Sequence, residues 1–315
     1  MRRFLFLFTG CMPLLSLLPA SPANASCGAA FCPINTQWEI QGISQESGLR
    51  ADLRYEYLDQ DQPRHGSDRV DVGEIPQHHD EVRTINRNWL LNLDYGFNES
   101  WGVSLTLPFV DRDHTHIHNH HGEQIRDSWD IQGLGDARLL GRYQLRTQPL
   151  SLLFGLKLPT GETDVDNDDG EVAERSLQPG TGTTDLLLGA AYRQGAPNSP
   201  WSWFVQGLAQ QSLYEHDDYR PGMQFLLDVG LRYAAGPKLS LMTQANVLIK
   251  GSDHGDEAEP DSSGGEYLFL TPGLSYAATP QVQLYAFYQQ PLYQHVDGVQ
   301  LTADRGFTAG LSARF

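Results

Sequence analysis

With 315 residues, a formal net charge of −17 and a mean hydropathy of −0.41, the chain has the averages of a soluble acidic protein. Those averages do not exclude a transmembrane β-barrel, which shows lipid only every second strand residue. The acidic balance does exclude nucleic-acid binding, which needs a basic surface against phosphate. After residue 25 no apolar run is long enough for a membrane helix.

The chain opens on a secretory pattern. Arg2 and Arg3 precede the apolar run Phe4 to Leu18, and Ala23-Asn24-Ala25 forms a cleavage site before Ser26. Residues 1–25 are therefore expected to be a signal peptide, and 26–42 an N-terminal periplasmic segment able to fold into a barrel mouth. Residues 43–315 are expected to be the barrel. Cys27 and Cys32 are the thiols left after cleavage, and a close pair in an oxidising compartment predicts a disulfide. A metal or redox role for the pair is the weaker reading, because no pattern of ligands surrounds it.

The first strand alternates strictly. Leu49, Ala51, Leu53, Tyr55 and Tyr57 form one face, and Arg50, Asp52, Arg54 and Glu56 the other. Turning the charged face to lipid would cost up to about 2–4 kcal/mol for each Arg near the midplane, so the charges belong in the lumen. After a polar loop at 59–81, the second strand carries Trp89, Leu91, Leu93, Tyr95 and Phe97 outward. A tight turn at Asn98–Ser100 leads to the third, with Trp101, Val103, Leu105, Leu107 and Phe109 outward. Aromatic residues on both sides of that turn are expected of an interfacial girdle.

The rhythm repeats. Long loops at about 111–129, 162–180, 215–221, 251–264 and 292–302 alternate with short turns near 147–149, 195–200, 235–237 and 279–280. Strands lie between them near 131–145, 150–161, 182–194, 201–214, 223–234, 238–250, 265–278 and 281–291. The final strand, Ala303 to Phe315, alternates to its last residue. The fold class is all-β: a transmembrane antiparallel β-barrel of about twelve strands, with both termini on the short-turn, periplasmic side. A secreted β-sandwich would have shorter strands and no regular alternation of long and short connections. A terminal strand ending in Phe also resembles the assembly signal of barrels in the Gram-negative outer membrane. Barrel-assembly machinery, outer-membrane lipid and lipopolysaccharide are the partners this implies.

Alternation directs Arg50, Asp52, Arg54, Glu56, Asn92, Asp94, Asp136, Arg138, Arg142, Lys157, Asp185, Arg193, Asp228, Arg232, Lys250 and Arg314 into the lumen. Mixed signs at this density narrow the bore by pairing across it, which favours a small or gated channel over a wide pore. Every histidine is expected in a long loop on the extracellular side: His65, His78 and His79; His114, His116, His118, His120 and His121; His216, His254 and His295. The run from His114 to His120 alternates, placing four imidazoles on one edge. With Asp111, Asp113 and Glu123 nearby, it is a candidate site for zinc, copper or nickel. The alternative is a soluble loop with adventitious chelation. The acidic loop Asp164 to Glu171 approaches a calcium loop, but Gly170 comes one place late and Arg175 stands at position twelve. Weak calcium binding is weighed there against a solvated loop, which the departures favour.

Gly133-Leu134-Gly135-Asp136 and Gly155-Leu156-Lys157-Leu158-Pro159-Thr160-Gly161-Glu162 resemble the bacterial outer-membrane family named for the meta-pathway of phenol degradation. The likeness in strand rhythm covers most of the mature chain, and its motif is concentrated in residues 133–162. It implies passage of small, often hydrophobic molecules, and carries no catalytic residue with it. The histidine run lies outside the motif. The expected function is an outer-membrane channel or transporter for small-molecule or metal cargo. The competing readings are a non-conducting, metal-binding surface barrel and an outer-membrane hydrolase. The last would want His and Ser on neighbouring strands at one height, and no His is expected within a strand, so no enzyme is expected.

Overall fold

The computed structural model describes residues 26–27, 31–38, 40–41, 47–75, 80–120, 123–195 and 199–315. The expected signal peptide, His78, His79 and His121 lie outside them, as do the side chains of Cys27, His118 and His120. In chain order the strands are β1 (Ser26–Cys27), β2 (Gly48–Gly66), β3 (Asp68–Arg69), β4 (Asp80–Gly96), β5 (Trp101–His120), β6 (Glu123–Leu134) and β7 (Ala137–Gln144). There follow β8 (Leu150–Leu158), β9 (Asp185–Gly195), β10 (Trp201–Ser212), β11 (Gln224–Ala234), β12 (Leu239–Lys250), β13 (Gly265–Ala277) and β14 (Val282–Arg314). A 3₁₀ turn at Pro260–Ser262 is the one helical element among the described residues, and no helix there is long and apolar enough to cross a membrane.

Each wall strand pairs antiparallel with its neighbours, and β14 pairs with β2, so the sheet closes on itself as a ring of eleven strand elements, the last of which reverses once and lines the wall twice. Closure leaves no lipid-facing edge of unpaired backbone, the condition for a sheet in hydrocarbon. The expected count of about twelve differs from eleven only in how the C-terminal element is divided. The two final strands and the loop expected at 292–302 are one element of 33 residues. It pairs with β13 through Gln283–Val296 and with β2 through Val296–Arg314, reversing at Gly298, whose φ of +60° suits glycine.

Outside the ring the expected alternation holds. Leu53, Trp89, Tyr95, Trp101, Phe109, Leu241 and Leu311 are all exposed apolar residues, while Asp52, Glu56, Thr106 and Ser312 face inward. Ring pairs gird the short-turn end, among them Trp101–Tyr143 at 4.6 Å and Trp201–Tyr233 at 4.6 Å. Toward the other end, Tyr55–Trp89 at 4.9 Å and Tyr288–Phe307 at 5.1 Å mark a second girdle. Beyond it the outer face becomes charged: Arg83 bridges Asp59 at 2.5 Å, and Arg87 reaches Asp113 at 2.7 Å. From Trp101 to Phe109 the strand is about 26 Å long, which with a tilt of about 40° rises about 20 Å, most of the roughly 25 Å apolar band of an outer-membrane barrel.

Two expected loops are strand instead. Residues 59–66 belong to β2, and 111–120 with 123–129 belong to β5 and β6, so the wall continues past the apolar band. There both faces meet water or protein, polar residues occupy both, and the alternation that marks a strand in sequence disappears. His65, His114, His116, His118, His120 and His295 therefore sit in strands, correcting the expectation that every histidine lies in a loop.

Candidate transport lumen

The lumen is occupied by the chain's own N-terminal segment. β1 runs parallel to Gln300–Leu301, at the end of the ring that carries the long loops. Ile40 packs with Leu140, Leu153, Leu187 and Phe204 toward the short-turn end. Residues 31–38 and 40–41, the described part of this strap, thus lie inside the ring, further than the mouth position expected for residues 26–42.

The strap is apolar where it leans on the wall and polar where it crosses the bore. Cys32, Ile34 and Trp38 cluster with Leu58, Met242, Tyr285 and Phe287. Trp38 stacks edge-on to Tyr285 at 4.7 Å, and its indole donates to Asp52 Oδ2 at 2.9 Å while the Tyr285 hydroxyl donates to Oδ1 at 2.7 Å. On the opposite wall Asn35 N donates to Gln244 Oε1 at 3.1 Å, and Gln244 Nε2 returns a bond to Asn35 O at 2.9 Å. Asn35 Nδ2 reaches Asp228 Oδ2 at 3.3 Å, and Arg54 donates to Thr36 Oγ1 at 2.6 Å. Cys32 N donates to Glu56 Oε2 at 3.3 Å. Gly306 makes room for the strap, since a Cβ there would stand 2.9 Å from Cys32 Sγ. Cys32 is a free, buried thiol, and the disulfide expected with Cys27 falls on a side chain outside those described.

The inward charges fall into two groups. Arg54 pairs with Glu56 at 3.1 Å, Arg50 donates to Ser312, Arg232 donates to Ser240, Asp94 accepts from Asn92, and Asp228 also accepts from Asn246. Arg50, Asp94 and Arg142 line a cavity with Gln37, Trp38 and Ile40, between the strap and the wall. Arg138 stands between Thr106 and Lys157 in the strand registers.

The second group is built on Asp136. Its Oδ2 accepts from Lys157 Nζ at 2.8 Å, Thr181 N at 2.9 Å and Thr181 Oγ1 at 2.8 Å, and its Oδ1 from Gly161 N at 3.1 Å. Lys157 also lies 3.4 Å from Asp185, which takes bonds from Thr183, Gln210 and Ser212. Thr160 Oγ1 closes the gap between β6 and β7, donating to Gly135 O and accepting from Ala137 N. A Cβ on Gly161 would lie 2.7 Å from Gly180 Cα, so two backbones meet there as only glycine allows. The Gly133–Asp136 and Gly155–Glu162 segments thus clamp loop 159–184 onto the wall. That loop lies beside β6, whose only strand partner among the described residues is β5. Trp129 donates to Glu171 O at 2.9 Å, and Arg112 donates to Leu177 O. Leu177 and Ala173 pack with Trp129, Ile131 and Leu301, carrying the loop across the bore.

His114 and His116 belong to this inner wall, not to an exposed rim. Both are buried, His114 Nδ1 lies 2.8 Å from Thr84 Oγ1, and Trp129 packs on both rings at 5.9 and 4.5 Å. The described residues hold one group of three metal-type ligands within 4.8 Å, Asp111, Asp113 and Asp130, with Arg87 pairing to the first two. The acidic loop closes as a tight turn on Asn167, whose Oδ1 accepts from Asp169 N and Glu171 N.

Sequence reasoning missed Asn35, Trp38, Gln244 and Tyr285. Alternation points Gln244 and Tyr285 inward, so scoring neutral polar residues and aromatics beside the charges would have found that half of the contact. Residues 77–307 match the family model described as "Putative MetA-pathway of phenol degradation". The chain belongs to this family. The segments on which the sequence resembles the family, Gly133–Asp136 and Gly155–Glu162, lie within this match and form the Asp136 clamp described above. Among solved structures the chain is similar to the COG4313 outer membrane channel from Pseudomonas putida F1, at 17% identity and a TM-score of 0.64, covering 85% of this chain and 96% of that one. It is more remotely similar to the Ralstonia pickettii toluene transporter TbuX, at 12% identity and a TM-score of 0.46, covering 86% and 90%. The NanC porin stands at 12% identity and 0.47, covering 84% and 100%. The first likeness establishes the fold of an outer-membrane channel barrel; the other two add nothing to it. No curated protein matches the chain.

Proposed function

We propose that this family member is an outer-membrane transporter for small molecules, with its short-turn end and both termini in the periplasm, and that the N-terminal strap controls passage. The observation that carries this reading is the strap itself. It lies along the bore of a closed ring on a few hydrogen bonds and an apolar seam, leaving beside it a cavity lined by Arg50, Asp94 and Arg142. A bore held narrow by a peptide segment admits small cargo or waits for the segment to shift. An outer band of exposed Leu, Trp and Phe supports placement in lipid.

A hydrolase finds less support. His295 Nδ1 lies 3.0 Å from Ser67 Oγ, but Ser67 is exposed, His295 is half-buried, and no carboxylate among the described residues forms an ion pair with the imidazole. The direct test is planar-bilayer conductance of the intact barrel against a variant lacking residues 31–41. The variant is expected to show current steps several-fold larger. Equal steps from two folded barrels would remove the strap from the transport route.

A further inference from the structure

At the long-loop end, three carboxylates from three elements are closed in together. Glu81, on β4, is 4% exposed, and its Oε2 accepts from Leu301 N at 3.2 Å. Leu301 packs against Ala173 and Leu177, which bracket Glu174 in loop 159–184. Glu259, in loop 251–264, immediately precedes the Pro260–Ser262 turn. Oε2 of Glu174 and Oε2 of Glu259 are both shut off from solvent, and neither accepts a hydrogen bond among the described residues.

The terminal nitrogens of the charged neighbours are engaged with other partners, while Arg175 Nε is buried without one among the described residues. Arg175 donates to Thr163 O and Thr181 O and lies over the Tyr219 ring. Lys250 bridges Asp253 at 3.0 Å, and Tyr219 donates its hydroxyl to the same carboxylate. His116 stands across from Glu81 in the β4–β5 register. Glu174 and Glu259 are half-buried as residues, and a carboxyl with one oxygen shut off from solvent and without a donor is cheaper to hold neutral than charged.

We propose that loops 159–184 and 251–264 form a proton-operated latch over the lumen, closed while Glu174 and Glu259 carry protons and released as they ionise. Burial raises the Glu259 carboxyl from 4.5 to about 10, with Glu174 and Asp253 adding repulsion. Burial, then Glu81, raises Glu174 well above its ordinary value. When the loops part, both groups return to water and to the ordinary value. Between that value and the raised one, closing takes up a proton. The closed-to-open ratio therefore falls about tenfold per pH unit for each glutamate involved. Below about pH 4.5 both states hold their protons, and the dependence vanishes.

Amide hydrogen exchange of the intact barrel, corrected for intrinsic rates, reads this ratio in peptides covering 172–178 and 256–263. Protection is expected to fall at least tenfold per unit between pH 6 and 9. In an E174Q/E259Q variant it is expected to stay high and independent of pH. Flat protection in the parent, or an unchanged slope in the variant, would overturn the latch. The parent series decides the matter even if the variant does not fold. No transport is measured, so failure here leaves the transporter proposal standing.

Discussion

Replacing Trp38 with Ala tests whether the strap is a docked, displaceable element. The indole is 1% exposed, sits edge-on to Tyr285 and supplies a hydrogen bond to Asp52. Truncating a buried Trp costs about 3–5 kcal/mol, and the loss falls on the docked state because the undocked strap makes none of these contacts. At about 1.4 kcal/mol per decade, the undocked population should rise roughly 10²- to 10³-fold. Cys32 reports it, because its thiol is buried in the same apolar cluster. In a Cys27→Ser background, the rate at which a small maleimide labels Cys32 should rise by at least two orders of magnitude. A labelling rate within about threefold of the parent, in a barrel that still runs as folded, would refute the docking argument.

Leu105→Arg places a charge on the outer face midway between Trp101 and Phe109, and should destabilise the barrel by about 2–4 kcal/mol in bilayer unfolding titrations. No loss would mean that this face does not meet hydrocarbon. Asp136→Ala strips acceptors from Gly161 N and Thr181 N, at about 1–3 kcal/mol each, while Lys157 keeps Asp185. Trypsin should then cut after Arg175 at least tenfold faster, and unchanged cleavage would show that the clamp does not hold loop 159–184.

The wall was legible wherever a strand crosses the apolar band, because lipid on one side and lumen on the other force the two faces apart in chemistry. Trp89 to Phe97 and Trp101 to Phe109 carry that signal unbroken. It stops at Asp59 and Asp111, where the outer face leaves lipid, although the hydrogen-bonded ladder continues to Gly66 and His120. For this reason the histidine run has the sequence signature of a loop. The charged lining followed from the same parity, and the Asp136 clamp coincides with the motif that carried the family resemblance. The strap was less legible: Cys32, Ile34, Trp38 and Ile40 alternate with other residues, but Pro33 and Thr36 break the pattern and the run is too short to set it apart from a linker. Its partners lie far along the chain, which local pattern does not reach.

That separation bears on how the protein is made. Asn35 and Gln244 stand 209 residues apart in the chain, and Trp38 shares its carboxylate with Tyr285 near the opposite terminus. The strap emerges early in synthesis, yet its acceptors exist only once the earliest and latest wall segments have met. Non-local contacts of this kind form late. A segment made before any wall strand is therefore the last to find its place, a keystone set from within after the arch has closed.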